Sequence, residues 1–214
     1  MNIIIDNADK FWAGMQTTIT LTAASALVAI VLGVLLAAFR VSPVPSLRVP
    51  AAGFVNLMQN LPLTVLFFLV IFGAPKVDIR GTSFFTRAVI ALGLYTAAFV
   101  CEVVRSGINT VSAGQAEAAR AIGLGFTQNL RLIILPQALR SVVGPMASTL
   151  IALTKNTSVA VGFAVLELTS VVNQLNETGE AVPGLFGVAL CYLVLILAMS
   201  FVFELLERKV AFRR

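Results

Sequence analysis

RSGINTVSAGQAEAARAIGLGFTQNLRLIILP, residues 105–136, is the stretch on which the reading of this chain turns. It is a polar island between two membrane-length apolar runs. A segment of that kind has no evident reason to exist unless something soluble docks on it. That points to a membrane subunit driven from outside itself, not to a self-contained channel or an enzyme. Ser112 and Gln115 have the spacing of a capping box, in which the hydroxyl caps a helix start and the amide reaches back. The helix runs through Glu117, Ala118, Ala119, Ala121 and Ile122 and stops at Gly123, which tolerates left-handed backbone. Thr127 can cap a second short helix over residues 128–134, ended before Pro136. Three alanines keep the first helix thin and open to close approach. Glu117, near its start, suits the helix dipole and could pair with a partner's arginine. The competing reading is an amphipathic helix lying on lipid headgroups, held by Arg120 and Arg131.

Composition sets the class around that island. Of 214 residues, 58% are hydrophobic and only 12% charged, and the mean hydropathy is +0.96; soluble domains carry roughly 25% charged residues. The net charge is +5, but the basic residues are scattered through short connections between apolar runs, which argues against nucleic acid. Cys101 and Cys191 lie within apolar runs and read as small core residues. Histidine is absent, so no histidine-dependent triad or zinc site can be built. No glycine–serine nucleophile elbow and no paired carboxylates at membrane depth replace it, which leaves no case for an enzyme.

The fold expected is an all-α integral membrane protein, one transmembrane domain over residues 1–214 with five spans, at residues 17–39, 55–72, 84–104, 137–154 and 185–205, and a helix pair at 112–136. The first run is too long for a signal peptide and lacks a small-residue cleavage site. Pro62 and Pro145 each remove a backbone donor, so kinks or broken starts are expected there. Arg40, Arg48, Arg105, Arg120, Arg131, Arg140, Arg208, Lys209, Arg213 and Arg214 fall on one side, against Lys10, Lys76, Arg80, Arg87 and Lys155 on the other. The positive-inside bias makes the first group cytoplasmic, with the amino terminus outside and the carboxyl terminus inside. Residues 155–184, with Glu167, Glu177 and Glu180, are long for a plain loop and suggest short helical or re-entrant structure.

The Glu117-Ala118-Ala119 triplet, followed by Gly123 and then by Leu135-Pro136, resembles the cytoplasmic coupling motif of ATP-binding-cassette importer permeases. The wider strings GINTVSAGQAEAARAIGLGF and IILPQALR are similar to the polar amino acid uptake branch of that family. So are TTITLT (17–22), NLPLTVLFFLVIFGAP (60–75), YTAAFVCEVVRSG (95–107) and LIALTKNTSVA (150–160). The FRVSPV (39–44) and LTKNTS (153–158) blocks most resemble actinobacterial glutamate permeases. The resemblance covers most of the chain. It implies a permease subunit in a bacterial plasma membrane, paired with a second permease, identical or sister. It also implies a cytoplasmic ATPase dimer that grips the coupling motif, and an external amino-acid-binding protein. The chain has no GxxxxGK[ST] phosphate loop, so it binds no cofactor of its own, and ATP and magnesium fall to the partner.

Polar residues at membrane depth are the candidates for substrate contact. Gln59 and Asn60 precede Pro62, where a broken helix would bare amides and carbonyls. Family members often read Arg-Gly-Thr-Pro or Arg-Asn-Thr-Pro there, so this chain departs from the pattern. Asn156, Thr157 and Ser158 follow the fourth span and could hydrogen-bond an α-carboxylate. Several family members have Asp at the Asn156 position, and an uncharged amide suits an anionic side chain better. Capping and interhelical bonds are the structural alternative for all five. Glu102 and Arg105, three apart, are expected to pair on one helix face. Glu167 either anchors the external segment or meets a binding protein. Tyr95 and Trp12 read as packing or interfacial aromatics. A secondary transporter or a membrane scaffold subunit is the rival reading; the former would usually show paired repeats and a buried ionisable coupling site.

Overall fold

A computed structural model describes residues 2–73 and 81–210. Lys76, Arg80, Arg213 and Arg214 of the charge pattern, and the end of the 60–75 block, lie outside the described residues. The described chain is helical, in the order α1 (Asn2–Asp6), α2 (Ala8–Val41), α3 (Pro45–Asn60), α4 (Leu63–Gly73), α5 (Phe84–Asn109), α6 (Ala113–Ala121), α7 (Phe126–Asn129), a π-helical turn (Leu130–Ile134), α8 (Leu135–Asn156), a 3₁₀ turn (Thr157–Phe163), α9 (Ser170–Asn176) and α10 (Ala181–Val210).

Among the described residues, α2, α5 and α10 are long and apolar enough to cross a bilayer, and α3 with α4 forms a pair bent by 108°. The break expected at Pro62 is therefore present, inside the run expected at 55–72. Leu61 is extended, as the residue before a proline prefers, and Pro62 cannot donate back to the preceding turn. At Pro145, by contrast, α8 continues without a break. The expected fourth span at 137–154 is the weakest by composition and is not among the helices long and apolar enough to cross. Arg140 falls inside it and Lys155 just beyond it, and Ser148 and Thr149 interrupt it.

The centre of the fold is the packing of α2 on α5. Down α2, Gly14, Thr18, Thr22, Ser25, Ala29, Gly33 and Ala37 are buried at three- and four-residue spacing, so one narrow face is made of small residues. A Cβ on Gly33 would lie 2.5 Å from Val100 Cγ1, and one on Gly93 2.6 Å from Val28 Cγ1. In lipid, where the surroundings are as apolar as the helices, such close backbone approach is what holds helices together. Leu21, Phe67, Leu92 and Leu153 fill the core around this seam, and Phe67 stacks on Phe163 of the 3₁₀ turn at 5.0 Å. Alpha-10 keeps Leu185, Phe186, Leu190, Leu193, Leu197 and Phe201 on its exposed side, a surface suited to hydrocarbon.

Candidate functional site

The island at residues 105–136 folds as an elbow. Alpha-6 ends at Ala121, and Gly123, with φ +87°, turns the chain as expected. The capping box does not form: Ser112 makes no side-chain cap bond, and Gln115 Oε1 instead accepts from Gln137 Nε2 at 2.5 Å. Glu117 sits past the first turn of α6, where the dipole effect has fallen away. The second helix is not capped by Thr127, which lies inside α7; Gly125 N–H donates to Gln128 Oε1 at 3.0 Å.

Nor does that helix end before Pro136. It runs without interruption through the π turn into α8. Proline lacks the N–H that would reach back four residues, and its ring crowds the preceding turn. The wider π turn accommodates it: Leu135 N–H donates to Leu130 O, and Gln137 Nε2 donates to Ile133 O at 3.0 Å.

Within the elbow, Glu117, Ala118, Gly123, Leu135 and Pro136 are exposed, whereas Ala119 is buried and offers no surface. The largest apolar exposures there are Ile122, 80% exposed, and Leu132, 63% exposed. The sequence pattern held Ile122 only as part of a helix face. Asn129 ties the elbow together: it is 6% exposed, and its Nδ2 donates to Ala116 O across the bend at 3.1 Å.

A second feature is a cavity of about 340 Å³ between α5 and α8, lined by Tyr95, Thr96, Phe99, Ser148, Thr149, Ala152, Leu153 and Asn156. That is within the size of small-ligand sites. Its lining carries hydroxyls, one amide and two aromatic rings but no fixed charge. Of the five predicted contact residues, Asn156 alone lines it. Thr157 is buried, donating to Thr154 O at 2.7 Å, and Ser158 donates to Lys155 O at 2.8 Å. Gln59 Nε2 donates to Ala98 O at 3.5 Å, and Asn60 Nδ2 to Asn56 O at 2.7 Å. These four side chains are therefore engaged with helix backbone. Tyr95, read from sequence as a packing or interfacial aromatic, is a wall of the cavity. The four-residue repeats Tyr95–Phe99 and Ser148–Ala152–Asn156 are the signal that could have found it, since they put those residues on facing helix stripes.

Two clusters of charged and polar side chains lie outside the cavity lining. Glu102 pairs with Arg105 at 2.8 Å, as expected, and also with Arg40 of α2, which the local spacing could not reveal. Glu167 is fully buried and accepts from Tyr192 Oη at 2.6 Å, Thr169 N–H at 2.9 Å, Thr169 Oγ1 at 3.3 Å and Thr18 Oγ1 at 3.4 Å. Leu168 N–H donates to Thr18 Oγ1 at 3.1 Å. Glu167 thus anchors residues 164–169 to α2 and α10. Burial pushes its carboxyl above the ordinary glutamate range, although the Tyr192, Thr169 and Thr18 bonds pull the other way.

Residues 29–212 match the family described as binding-protein-dependent transport system inner membrane component. The chain is 39% identical to the glutamate transport system permease protein GluC of Corynebacterium efficiens, over 95% of this chain and 93% of the relative. It is 30% identical to the arginine transport system permease protein ArtQ of Bacillus subtilis, over 92% and 90% of the two chains. In structure it is similar to a chain of an amino acid ABC transporter crystallised with histidines, with a TM-score of 0.90, 25% identity and coverage of 96% of both chains.

Proposed function

The chain belongs to the binding-protein-dependent transport system inner membrane components, and from that premise we propose that it is the permease subunit of an ATP-driven amino acid importer, with glutamate or a related polar amino acid as substrate. The substrate class rests on the relatives, GluC above all. It is compatible with a cavity that offers Ser148, Thr149, Tyr95 and Asn156 but no carboxylate to repel an anionic side chain. ATP and magnesium bind a separate ATPase dimer. A second permease, identical or sister, completes the pathway, and an external binding protein delivers the amino acid. The amino terminus lies outside and the carboxyl terminus inside, with α2, the bent α3–α4 pair, α5, α8 and α10 as the five spans. Alpha-8 carries its polar stripe at membrane depth because that stripe faces the cavity rather than lipid.

The observation that carries the reading is the α6–α7 elbow. It presents Glu117, Ala118 and the 80%-exposed Ile122 next to a left-handed Gly123. An apolar knob beside a carboxylate suits a groove on a soluble partner better than it suits headgroups, which repel Glu117. Nucleotide-driven approach of the ATPases would pull both elbows and switch access from inward to outward, provided the two states differ in their contacts with nucleotide and substrate.

The test is co-purification of the ATPase and uptake of radiolabelled glutamate, competed with unlabelled Glu, Gln, Asp and Arg. Glu117→Lys and Ile122→Asp are expected to lose the ATPase while still inserting. Gly123→Pro, which forces φ to about −65° where the chain needs a positive angle, is expected to abolish uptake with insertion intact. Normal uptake in membranes carrying these variants would sink the proposal.

A further inference from the structure

Between the elbow and the cavity the chain is one continuous helical segment. Alpha-7, the π turn and α8 follow one another without a break from Phe126 to Asn156, about 45 Å at the usual helical rise. One end carries the elbow, and the other carries Asn156 on the cavity wall. The segment crosses α5 where Gly107 meets Val142: a Cβ on Gly107 would lie 2.3 Å from Val142 Cγ2. Thr110 Oγ1 donates there to Gly107 O at 2.7 Å and to Ser141 Oγ at 3.2 Å.

Alpha-6, the exposed helix, is not part of that segment. It is joined to it covalently only through residues 122–125, a turn containing Gly123 and Gly125. A glycine-containing turn by itself would let a pull on α6 dissipate in bending. Two carboxamides close the gap. Asn129 Nδ2 reaches Ala116 O, and Gln137 Nε2 reaches Gln115 Oε1 while also holding Ile133 O. Both bonds land on the early part of α6, so the helix is held at its far end as well as by the turn. Asn129 is the deeper of the two, and its Oδ1 has no hydrogen-bond partner. A buried acceptor left unpaired is unfavourable, yet turning the amide over would only set two oxygens face to face at Ala116. Donation to α6 therefore fixes the orientation.

We propose that the carboxamides of Asn129 and Gln137 are the transmission between the docking helix α6 and α8, making them positioning residues for transport rather than docking or substrate contacts. The proposal rests on the docking reading above. It requires that substituting either amide leaves the partner bound but wastes its stroke.

The experiment uses the assembled importer, with its ATPase and binding protein, in proteoliposomes, and measures glutamate moved per ATP hydrolysed. Asn129→Asp keeps the size and removes the donor, and Gln137→Leu removes both of its bonds. Each is expected to retain the ATPase in wild-type amount and to lower the transport-to-hydrolysis ratio by about five-fold or more, the lower end of typical coupling between sites. The pair Gln115→Glu with Gln137→Lys replaces the amide contact by an ion pair of similar reach and should restore the ratio. An unchanged ratio in assembled single variants would overturn the proposal, as would loss of the ATPase from them or a double variant no better than Gln137→Leu. The docking reading fails separately, if Glu117→Lys and Ile122→Asp still retain the ATPase.

Discussion

At the residue scale the most constrained side chain is Glu167. Its two carboxyl oxygens serve four donors, two of them on α2 and α10, so truncation strands partners on distant helices. Glu167→Ala should destabilise the detergent-solubilised protein by about 1–3 kcal/mol, the penalty for buried groups left unpaired, read as a lowered melting temperature. Burial raises the carboxyl above its unfolded value. Its contribution to stability is then fully present below the ordinary glutamate pKa of about 4.3 and is lost as pH rises through the folded value. Glu167→Gln, which cannot ionise, lacks that dependence. The melting-temperature advantage of the native protein over Glu167→Gln should therefore shrink with rising pH; a gap that widens would contradict the assignment. The sequence left two roles open for this residue because nothing local distinguishes a carboxylate facing solvent from one roofed by Thr18 and Tyr192, which lie 149 and 25 positions away.

At the scale of elements, how much was legible depended on whether the deciding contact was local. The break at Leu61–Pro62 was legible because a proline restricts its own neighbour, whatever surrounds it. The stop at Gly123 was legible for the same reason. The helix through Pro136 was not, because its continuation depends on a π turn and on the Gln137 amide supplying Ile133 with a donor. The cavity was half legible: Asn156 was found as a polar group at membrane depth, but its facing aromatics come from a helix about sixty positions earlier in the chain. The α2–α5 seam gives a direct check on packing. Gly33→Ala places a carbon 2.5 Å from Val100 Cγ1 and 2.9 Å from Ala97 O, and backbone cannot retreat as a flexible side chain can. The expected loss is about 1–3 kcal/mol, whereas Gly53→Ala, with nothing within 4 Å of the added carbon, should be neutral or slightly stabilising as a better helix former. Thermal unfolding of the two variants side by side tests the contrast.

For the whole molecule, the division between what packs inward and what faces outward follows the membrane rather than water. The polar groups Thr18, Thr96, Thr154 and Glu167 are buried inside the bundle, while the broad apolar side of α10 is left bare. The lengths of the longest helices carry a further consequence. At 34 and 30 residues, α2 and α10 measure about 51 and 45 Å, well beyond a hydrocarbon slab of about 30 Å. They must lean, protrude, or both, and the lysines and arginines at their tips set how far they sink. Lipids with shorter acyl chains should therefore steepen the mismatch and slow uptake, while slightly longer chains should not, making the thickness of the surrounding membrane a dial on this permease that no residue of its pathway controls.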